Sequence, residues 1–334
     1  MMDPKTFKSL RIYEPSPTVF ESRVESCNLD ILPEGEVLIK VHYSSLNYKD
    51  ALSASGNKGI TRKYPHTPGI DAAGIVEHCI THSFAPGDEV IVTGYDLGMN
   101  TPGGFGGYIR VPAKWVVPKP ANLTLRESMI YGTAGFTAAL ALRRLERNGQ
   151  LPESGPVLVT GATGGVGSIA IALLARAGYE VIASTGKTDE TANLQLLGAI
   201  SVIGRDEVND QSGRALLRGR WAGAIDTVGG NTLATILKSC MTHGSVACCG
   251  NVSSPELNTT VFPFILNGVS LLGINSATCP MHERKEIWDL LANAWKVQLP
   301  ESYITICSLA EMSHWIDLIL KGGLCGRVIL DHNL

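Results

Sequence analysis

A glycine-rich turn in the middle of the chain is the pattern most directly tied to ligand chemistry. The stretch VLVTGATGGVGSIAIALLARAGYEVIAST (157–185) contains an apolar strand, the turn, an apolar helix and a second strand. Its G-x-G-x-x-G pattern has alanine in the first slot and consists of Ala162, Gly164 and Gly167. In this context the pattern predicts a dinucleotide site, because glycines let backbone approach a pyrophosphate that the helix N-terminus attracts. The residues expected to line it are Thr163, Gly164, Gly165, Val166 and Gly167.

The end of the second strand indicates which dinucleotide is bound. An NAD site usually has an acidic residue there for the ribose hydroxyls, but this strand ends Ser184-Thr185-Gly186-Lys187 and has no acid before Asp189. Hydroxyls, a flexible glycine and a cation suit a 2′-phosphate instead. Arg205, which follows the next strand, adds a second positive charge or a surface for the adenine. The sequence therefore favours NADPH, the alternative being that Lys187 and Arg205 are ordinary solvated charges.

Composition narrows the classes of partner and compartment. The 334 residues carry 28 Lys and Arg against 31 Asp and Glu, a net charge of -3, which excludes a dominant basic surface for nucleic acid or anionic membrane. No apolar run reaches the ~18 residues of a membrane-spanning helix. The eight cysteines form no C-x-x-C pair and are expected to be reduced. We expect a cytoplasmic protein without nucleic-acid or membrane partners.

Two kinds of element pattern divide the chain. Short strands with few helices favour a barrel-like all-β unit, and they are predicted at residues 37–43, 69–77, 88–93 and 103–111. A capping box of Thr124 and Glu127 predicts the start of a long helix. Beyond it, continuous apolar strands alternate with helices, which is typical of a parallel sheet covered on both faces. We predict an α/β protein with one domain at 1–123 plus 303–334 and a dinucleotide-binding domain at 124–302.

Motifs along nearly the whole chain resemble one superfamily. They are SSLNYKDAL (44–52), PGIDAAGIV (68–76), PGDEVIVTG (86–94), GGFGGYI (103–109), YGTAGFTAALAL (131–142), VTGATGGVG (159–167), WAGAIDTVGG (221–230) and VFPFILNGVSLLGINS (261–276). With these motifs the chain resembles the medium-chain dehydrogenases/reductases, and NYKDAL, WAGAIDTVGG and PFIL are similar to their acryloyl-CoA reductase branch, often labelled quinone oxidoreductase. The resemblance implies a Rossmann doubly wound parallel sheet, a GroES-like β-barrel catalytic domain and a homodimer.

Departures from the zinc-dependent members of that superfamily imply that no metal is bound. Asn47 stands where those enzymes carry a zinc-binding cysteine, and Ile70 replaces the histidine of their GHE segment. No cysteines cluster between residues 87 and 107, where a structural zinc lobe would lie. Zinc needs Cys, His or carboxylate ligands in a tetrahedral array. His66, His78 and His82 are therefore interpreted as loop or surface residues.

Without a metal, the substrate must already be electrophilic. A C=C bond conjugated to a carbonyl accepts hydride at its β-carbon, and the site must then stabilise an enolate and protonate the α-carbon. The resemblance places Asn47, Tyr48 and Asp50 beside the nicotinamide. Tyr48 is expected to donate a hydrogen bond to cofactor or carbonyl, or a proton, and Asn47 to donate an amide N–H to the enolate. The alternative is structural, with Tyr48 wedged between the domains and Asp50 capping a helix.

Further contacts follow from the resemblance alone. Asn251, Ile265 and Ser276 lie after strands or in the PFIL segment and are expected to contact the nicotinamide half of the cofactor. Cys248 and Cys249 are interpreted as packing residues. The loop at 57–63 carries Lys58, Arg62 and Lys63, which are either a solvated loop or a contact for CoA phosphates.

Together these inferences predict an NADPH-dependent, zinc-independent reductase of α,β-unsaturated acyl-CoA, with acryloyl-CoA converted to propanoyl-CoA. One alternative is an NADPH quinone oxidoreductase or general activated-alkene reductase. A second alternative, from another class, is a non-catalytic NADPH-binding structural or sensor protein.

Overall fold

A computed structural model describes residues 6–334. It divides into two compact units: the chain up to Thr133 with Ala277–Ala292 and Ser302–Leu334, and Ala134–Ser276 with Asn293–Glu301. The strands are β1 Thr6–Ser16, β2 Val19–Asn28, β3 Val37–Ser45, β4 Asp71–Cys79, β5 Glu89–Thr93, β6 Tyr108–Val111, β7 Val116–Pro118, β8 Val157–Thr160, β9 Val181–Thr185, β10 Ala199–Gly204, β11 Trp221–Asp226, β12 Cys240–Cys248, β13 Ser270–Gly273, β14 Ile304–Cys307 and β15 Arg327–Asp331. The helices are α1 Tyr48–Ala54, α2 Leu125–Arg147, α3 Gly165–Arg176, α4 Thr191–Leu196, α5 Gly230–Lys238, α6 Phe262–Asn267, α7 Met281–Ala292 and α8 Met312–Leu320.

The first unit is built on a seven-stranded sheet. Its strand order is β14-β15-β3-β4-β5-β7, with β6 paired to β3, and all these pairs are antiparallel except β14 with β15. Alternating apolar residues of β3, β4 and β5 form one buried cluster. The four predicted strands correspond to β3–β6, whereas the two-stranded sheet of β1 and β2 was not predicted. Most β2 side chains are exposed, so its sequence lacks the apolar alternation that marks a half-buried strand.

The second unit is the predicted parallel sheet. Its order is β10-β9-β8-β11-β12-β13, and every neighbouring pair is parallel. Continuous apolar strands are expected in such a sheet because both of its faces are covered, and all residues of β8 and β11 are buried. The strand order reverses between β8 and β11, which is where open α/β sheets bind ligands beyond the carboxyl ends of the strands. The predicted fold class is thus confirmed.

The division between the units falls inside α2, between Thr133 and Ala134, rather than at residue 124. The predicted capping box starts the helix, with Thr124 Oγ1 accepting from the Glu127 N–H at 3.0 Å and Glu127 accepting from the Thr124 N–H at 2.7 Å. Gly132 then leaves helical geometry, with φ 49° and ψ -152°. Hydrogen bonds at this kink hold the first turns of α2 in the first unit.

Helix α7 also departs from the predicted boundaries, since it belongs to the first unit. Arg284 accounts for this, because its Nη1 donates to the Thr93 carbonyl and hydroxyl at the end of β5, both at 2.9 Å. Among residues 6–334, no helix is long and apolar enough to cross a membrane.

Candidate active site

The glycine-rich turn has the geometry that a dinucleotide requires. A Cβ at Gly167 would lie 2.8 Å from the Gly161 carbonyl carbon, so only glycine allows α3 this close to the end of β8. A Cβ at Gly164, in contrast, would meet only the Gly161 oxygen, at 3.2 Å. The space beside Gly164 is therefore open, and because glycine has no side chain, a ligand can approach the backbone at this position. Gly165 is the first residue of α3, and Thr163, two residues before it, is buried.

A buried aspartate that was not among the predicted site residues supports this turn. Asp226 ends β11, and its carboxylate accepts from the Thr160 hydroxyl at 2.6 Å and from the Gly229 N–H at 2.8 Å. The Thr227 hydroxyl donates to the Thr160 carbonyl at 2.9 Å, which joins the ends of β8 and β11. Burial raises the pKa of Asp226, and the Thr160 hydrogen bond opposes that shift. The signal for it was the single carboxylate that ends the apolar strand WAGAID (221–226).

The strand ends next to the turn bring together the residues predicted to select NADPH. Gly204 of β10 pairs with Thr185 of β9, so Arg205 and Gly186 leave the sheet side by side. A Cβ at Gly186 would overlap the Arg205 guanidinium, which therefore lies directly against the Gly186 backbone. The Thr185 hydroxyl accepts from the Lys187 N–H at 3.0 Å.

This strand end presents one exposed guanidinium and buried hydroxyls of Ser184 and Thr185 at its base. Such a donor set fits a phosphate, since a guanidinium recognises phosphate through paired N–H donors.

The three contacts carried over from the resemblance lie in the second unit. Asn251 is exposed in the loop after β12, and Ile265 of α6 is 66% exposed. The hydroxyl of Ser276 accepts from the Thr137 hydroxyl of α2 at 2.8 Å. Burial raises the pKa of Cys249, whose Sγ donates to the Asp226 carbonyl at 3.3 Å, and this agrees with a packing role.

In the first unit, the predicted catalytic turn connects β3 to α1. Tyr48 is the first residue of α1, and it is 41% exposed. Asp50 in contrast is fully buried. Its Oδ2 accepts from the Asn47 N–H at 2.8 Å, and its Oδ1 accepts from the N–H groups of Gly69 at 3.2 Å and Ile70 at 2.8 Å. Asp50 therefore anchors the turn and presents no open face to a ligand.

The environment of Asp50 disfavours its charge. Burial, with a smaller contribution from the charge of Asp71, raises the pKa of Asp50 to about 7. Its three backbone donors oppose this shift.

The side chain of Asn47 is held inside the first unit. Its Nδ2 donates to Asp71 Oδ2 at 2.7 Å and to the Ser45 carbonyl at 3.2 Å, while its Oδ1 accepts from Arg327 Nη1 at 3.4 Å. Both amide hydrogens thus have acceptors, so none remains in this arrangement for an enolate oxygen. The geometry gives Asn47 the task of holding the turn.

Other candidates have local partners. Lys58 contacts Glu14 Oε2 at 2.5 Å and lies 4.7 Å from the Tyr64 ring centroid, so its charge is engaged within the protein. His66 is a buried loop residue whose Nε2 is 3.0 Å from the Gly98 carbonyl oxygen. Ile70 is buried, and across residues 6–334 no group of three or more His, Cys, Asp or Glu is placed to hold a metal ion.

Comparison with known proteins shows the family to which this chain belongs. The family model of the alcohol dehydrogenase GroES-like domain matches residues 33–121, and that of the zinc-binding dehydrogenase matches residues 165–293. The putative quinone oxidoreductase YhfP of Bacillus subtilis is 48% identical over 311 residues, which cover 92% of this chain and 93% of that protein. The acrylyl-CoA reductase AcuI of Ruegeria pomeroyi is 44% identical over 313 residues, or 94% of this chain and 95% of that protein.

Solved structures of oxidoreductases are similar to this chain over nearly its whole length. The yhdH oxidoreductase of Salmonella enterica in complex with NADP has a TM-score of 0.92 and 41% identity, covering 97% of this chain and 99% of that one. Bacillus subtilis yhfP with NAD bound has a TM-score of 0.94 and 45% identity, covering 98% and 99%. The chain belongs to the medium-chain dehydrogenase/reductase superfamily, in the branch of acryloyl-CoA reductases and quinone oxidoreductases, and the resemblance found in the sequence is confirmed.

Proposed function

We propose that this oxidoreductase uses NADPH to reduce the C=C bond of an α,β-unsaturated acyl-CoA, converting acryloyl-CoA to propanoyl-CoA. The observation that carries the cofactor assignment is the Arg205 guanidinium against the Gly186 backbone, at the end of β9, which has no acidic residue before Asp189. The substrate class is supported by the 44% identity to the acrylyl-CoA reductase. The overall reaction adds one hydride and one proton across the C=C bond.

In this proposal, three groups of residues bind three different parts of the cofactor. NADPH, when bound, supplies the hydride. The N–H groups of Gly165, Val166 and Gly167 hold the pyrophosphate at the start of α3, with Thr163 and the open side of Gly164 beside it. Ser184, Thr185, Gly186, Lys187 and Arg205 hold the 2′-phosphate. Asn251, Ile265, Ser276 and Tyr48 hold the nicotinamide half.

Tyr48 is the residue we assign to the reacting end of the substrate. Its exposed ring stands on the first turn of α1, and a phenol is both a hydrogen-bond donor and a proton source. We propose that it contacts the cofactor and donates to the thioester carbonyl oxygen. Asn47 and Asp50 do not contact the substrate in this proposal; they hold the backbone of the turn that carries Tyr48.

The test is NADPH oxidation by the purified protein with acryloyl-CoA, crotonyl-CoA, a free acrylic ester and a quinone as separate acceptors. The proposal predicts turnover with acryloyl-CoA and a KM for this thioester well below that for free acrylic esters. A similar KM for thioester and free ester would refute recognition of CoA.

A quinone reductase is the second candidate, because the relative at 48% identity carries that description. In the same experiment it predicts a kcat/KM with the quinone above that with acryloyl-CoA. A non-catalytic NADPH-binding protein predicts no oxidation with any acceptor, and stoichiometric consumption of NADPH with acryloyl-CoA excludes it.

We also propose that the reaction needs no zinc. The two positions at which zinc-dependent members hold the metal carry the hydrogen-bonded amide of Asn47 and the buried hydrocarbon of Ile70. Activity should survive a chelator, and metal analysis should find no zinc. One zinc per chain that is required for activity would contradict this.

We also propose that the protein is a homodimer and lies in the cytoplasm. The eight cysteines are all free thiols, as expected in a reducing compartment. Edge strand β13 supplies an unpaired backbone, and the exposed Leu266 of α6 supplies apolar surface, for a second copy. Light scattering should give twice the chain mass of 35.6 kDa.

A further inference from the structure

Asp71 joins the catalytic turn to the kink of helix α2. This fully buried residue begins β4. Its Oδ2 accepts from the Ser45 hydroxyl at 2.7 Å, from the Asn47 amide at 2.7 Å and from the Thr133 N–H at 2.8 Å. Its Oδ1 accepts from the Thr133 hydroxyl at 2.6 Å. A single carboxylate thus holds the end of β3, the residue before α1 and the kinked turn of α2.

The kink is shaped to make room for this carboxylate. A Cβ at Gly132 would lie 2.5 Å from Asp71 Oδ2, 2.5 Å from Ser45 Oγ and 2.9 Å from Arg327 Nη2. Its φ of 49° is also a conformation that side chains with a Cβ seldom adopt. The backbone of α2 therefore leaves helical geometry where it passes the carboxylate, and the Thr133 N–H freed by the kink is used to bind it.

Arg327 supplies the charge that allows a carboxylate in this interior. Its guanidinium is buried and donates through Nε to the Ile130 carbonyl at 3.0 Å and through Nη1 to the Leu46 carbonyl at 3.2 Å. Burial lowers the pKa of Arg327, and the nearby charges of Asp71 and Asp50 oppose this shift. Charges this deep are retained only when they are paired and hydrogen-bonded.

We propose that Asp71 is a positioning residue for the reductase reaction, acting through Asn47 on Tyr48. The inference rests on the proposed function, in which Tyr48 contacts the substrate and cofactor. Asp71 fixes the Asn47 side chain, and Asp50 fixes the Asn47 N–H. The backbone leading into Tyr48 is therefore held from both sides. The same carboxylate ties that backbone to α2.

Two adjacent buried serines of β3 provide a matched test. The Ser45 hydroxyl donates to the Asp71 carboxylate, while the Ser44 hydroxyl donates to the Asp71 backbone carbonyl at 2.6 Å. Both Ser45→Ala and Ser44→Ala remove one buried hydrogen bond and should lower Tm. Only Ser45→Ala should lower kcat at saturating NADPH, by about 10-fold or more, as loss of a hydrogen bond to a charged group implies. Equal kcat values for the two variants would overturn the proposal.

A double-mutant cycle shows whether Asp71 acts through Asn47. Asp71→Asn keeps the size of the side chain and removes its charge, and it should lower kcat about 10- to 100-fold. In the Asn47→Ala background the same change should lower kcat less than about 3-fold, since the residue it acts through is already gone. Additive losses would overturn the proposal.

Hydrogen exchange tests the inference without a substrate. In Asp71→Asn, the amides of 47–51 and of Thr133 should exchange faster together, whereas Ser44→Ala should leave both segments as in the wild type. If the wild-type protein failed to oxidise NADPH with any of the tested acceptors, the proposed function would be refuted, while this measurement would remain valid. If either segment stayed protected in Asp71→Asn, the link between turn and kink would be refuted.

Discussion

Replacing Gly186 by alanine tests how this chain recognises the cofactor phosphate. The added Cβ would come closer than 3.0 Å to Nη2, Nε and Cζ of Arg205. Arg205 is an exposed, flexible side chain, so it can move away while the backbone stays in place. Gly186 also does not have a positive φ, so alanine is tolerated by its backbone. The variant should therefore fold with a Tm close to that of the wild type.

The expected effect is on NADPH alone. Hydrogen bonds to charged groups contribute about 1.5–3 kcal/mol, and 1.4 kcal/mol corresponds to a factor of ten. Displacing Arg205 should therefore raise the KM for NADPH by about 10- to 100-fold. The KM for NADH, which has no 2′-phosphate, should change less than about 3-fold.

The assay is steady-state kinetics with each dinucleotide, using whichever acceptor the wild-type protein reduces. Gly204→Ala is the matched control. Gly204 immediately precedes Arg205 in the chain, but a Cβ at this position would meet nothing within 4 Å and would therefore not displace the guanidinium. We expect Gly204→Ala to keep the wild-type ratio of kcat/KM for NADPH over NADH. If Gly186→Ala kept that ratio as well, Arg205 would not be the phosphate ligand.

Three further predictions concern the first unit. Tyr48→Phe should lower kcat or raise the KM for NADPH, and unchanged values of both would remove Tyr48 from cofactor contact and catalysis. Gly132→Ala should lower the free energy of unfolding by more than about 2 kcal/mol, since its Cβ would meet Asp71, Ser45 and Arg327. A value from urea unfolding within about 0.5 kcal/mol of the wild type, which is the usual range for surface substitutions, would contradict this. The pKa of Asp50, raised from 3.8 to about 7, means that the folded state holds this proton more tightly, so its contribution to stability is complete below pH 3.8 and is lost as pH rises through 7. Between pH 5 and 8, the unfolding free energy of the wild type minus that of Asp50→Asn should fall by about 2–3 kcal/mol, and a flat difference would contradict the buried, Asp71-facing environment.

Local patterns in the sequence sufficed for the dinucleotide turn. Gly164 and Gly167 lie within a few residues of the strand and helix that they connect, so spacing alone defines their surroundings. The approach of Arg205 to Gly186 could be anticipated for a similar reason, because neighbouring parallel strands end at the same edge of a sheet.

The buried charge cluster could not be predicted in that way. Asp71 and Arg327 belong to distant parts of the chain, and their proximity depends on the pairing of β15 with β3 and of β3 with β4. An amide at position 47 suggests a donor for the substrate until the tertiary structure supplies Asp71 as its acceptor. The break in α2 was hidden for the same reason, since a glycine inside an apolar helical pattern gives no sign of the side chains that will meet it.

The decisive measurement is oxidation of NADPH by the purified protein with acryloyl-CoA as acceptor, compared with oxidation of NADH under the same conditions. We expect one NADPH to be consumed for each propanoyl-CoA formed, with a kcat/KM for NADPH at least tenfold above that for NADH, in line with the loss of one charged hydrogen bond. Equal or faster turnover with NADH, or no binding of either dinucleotide by calorimetry, would contradict it.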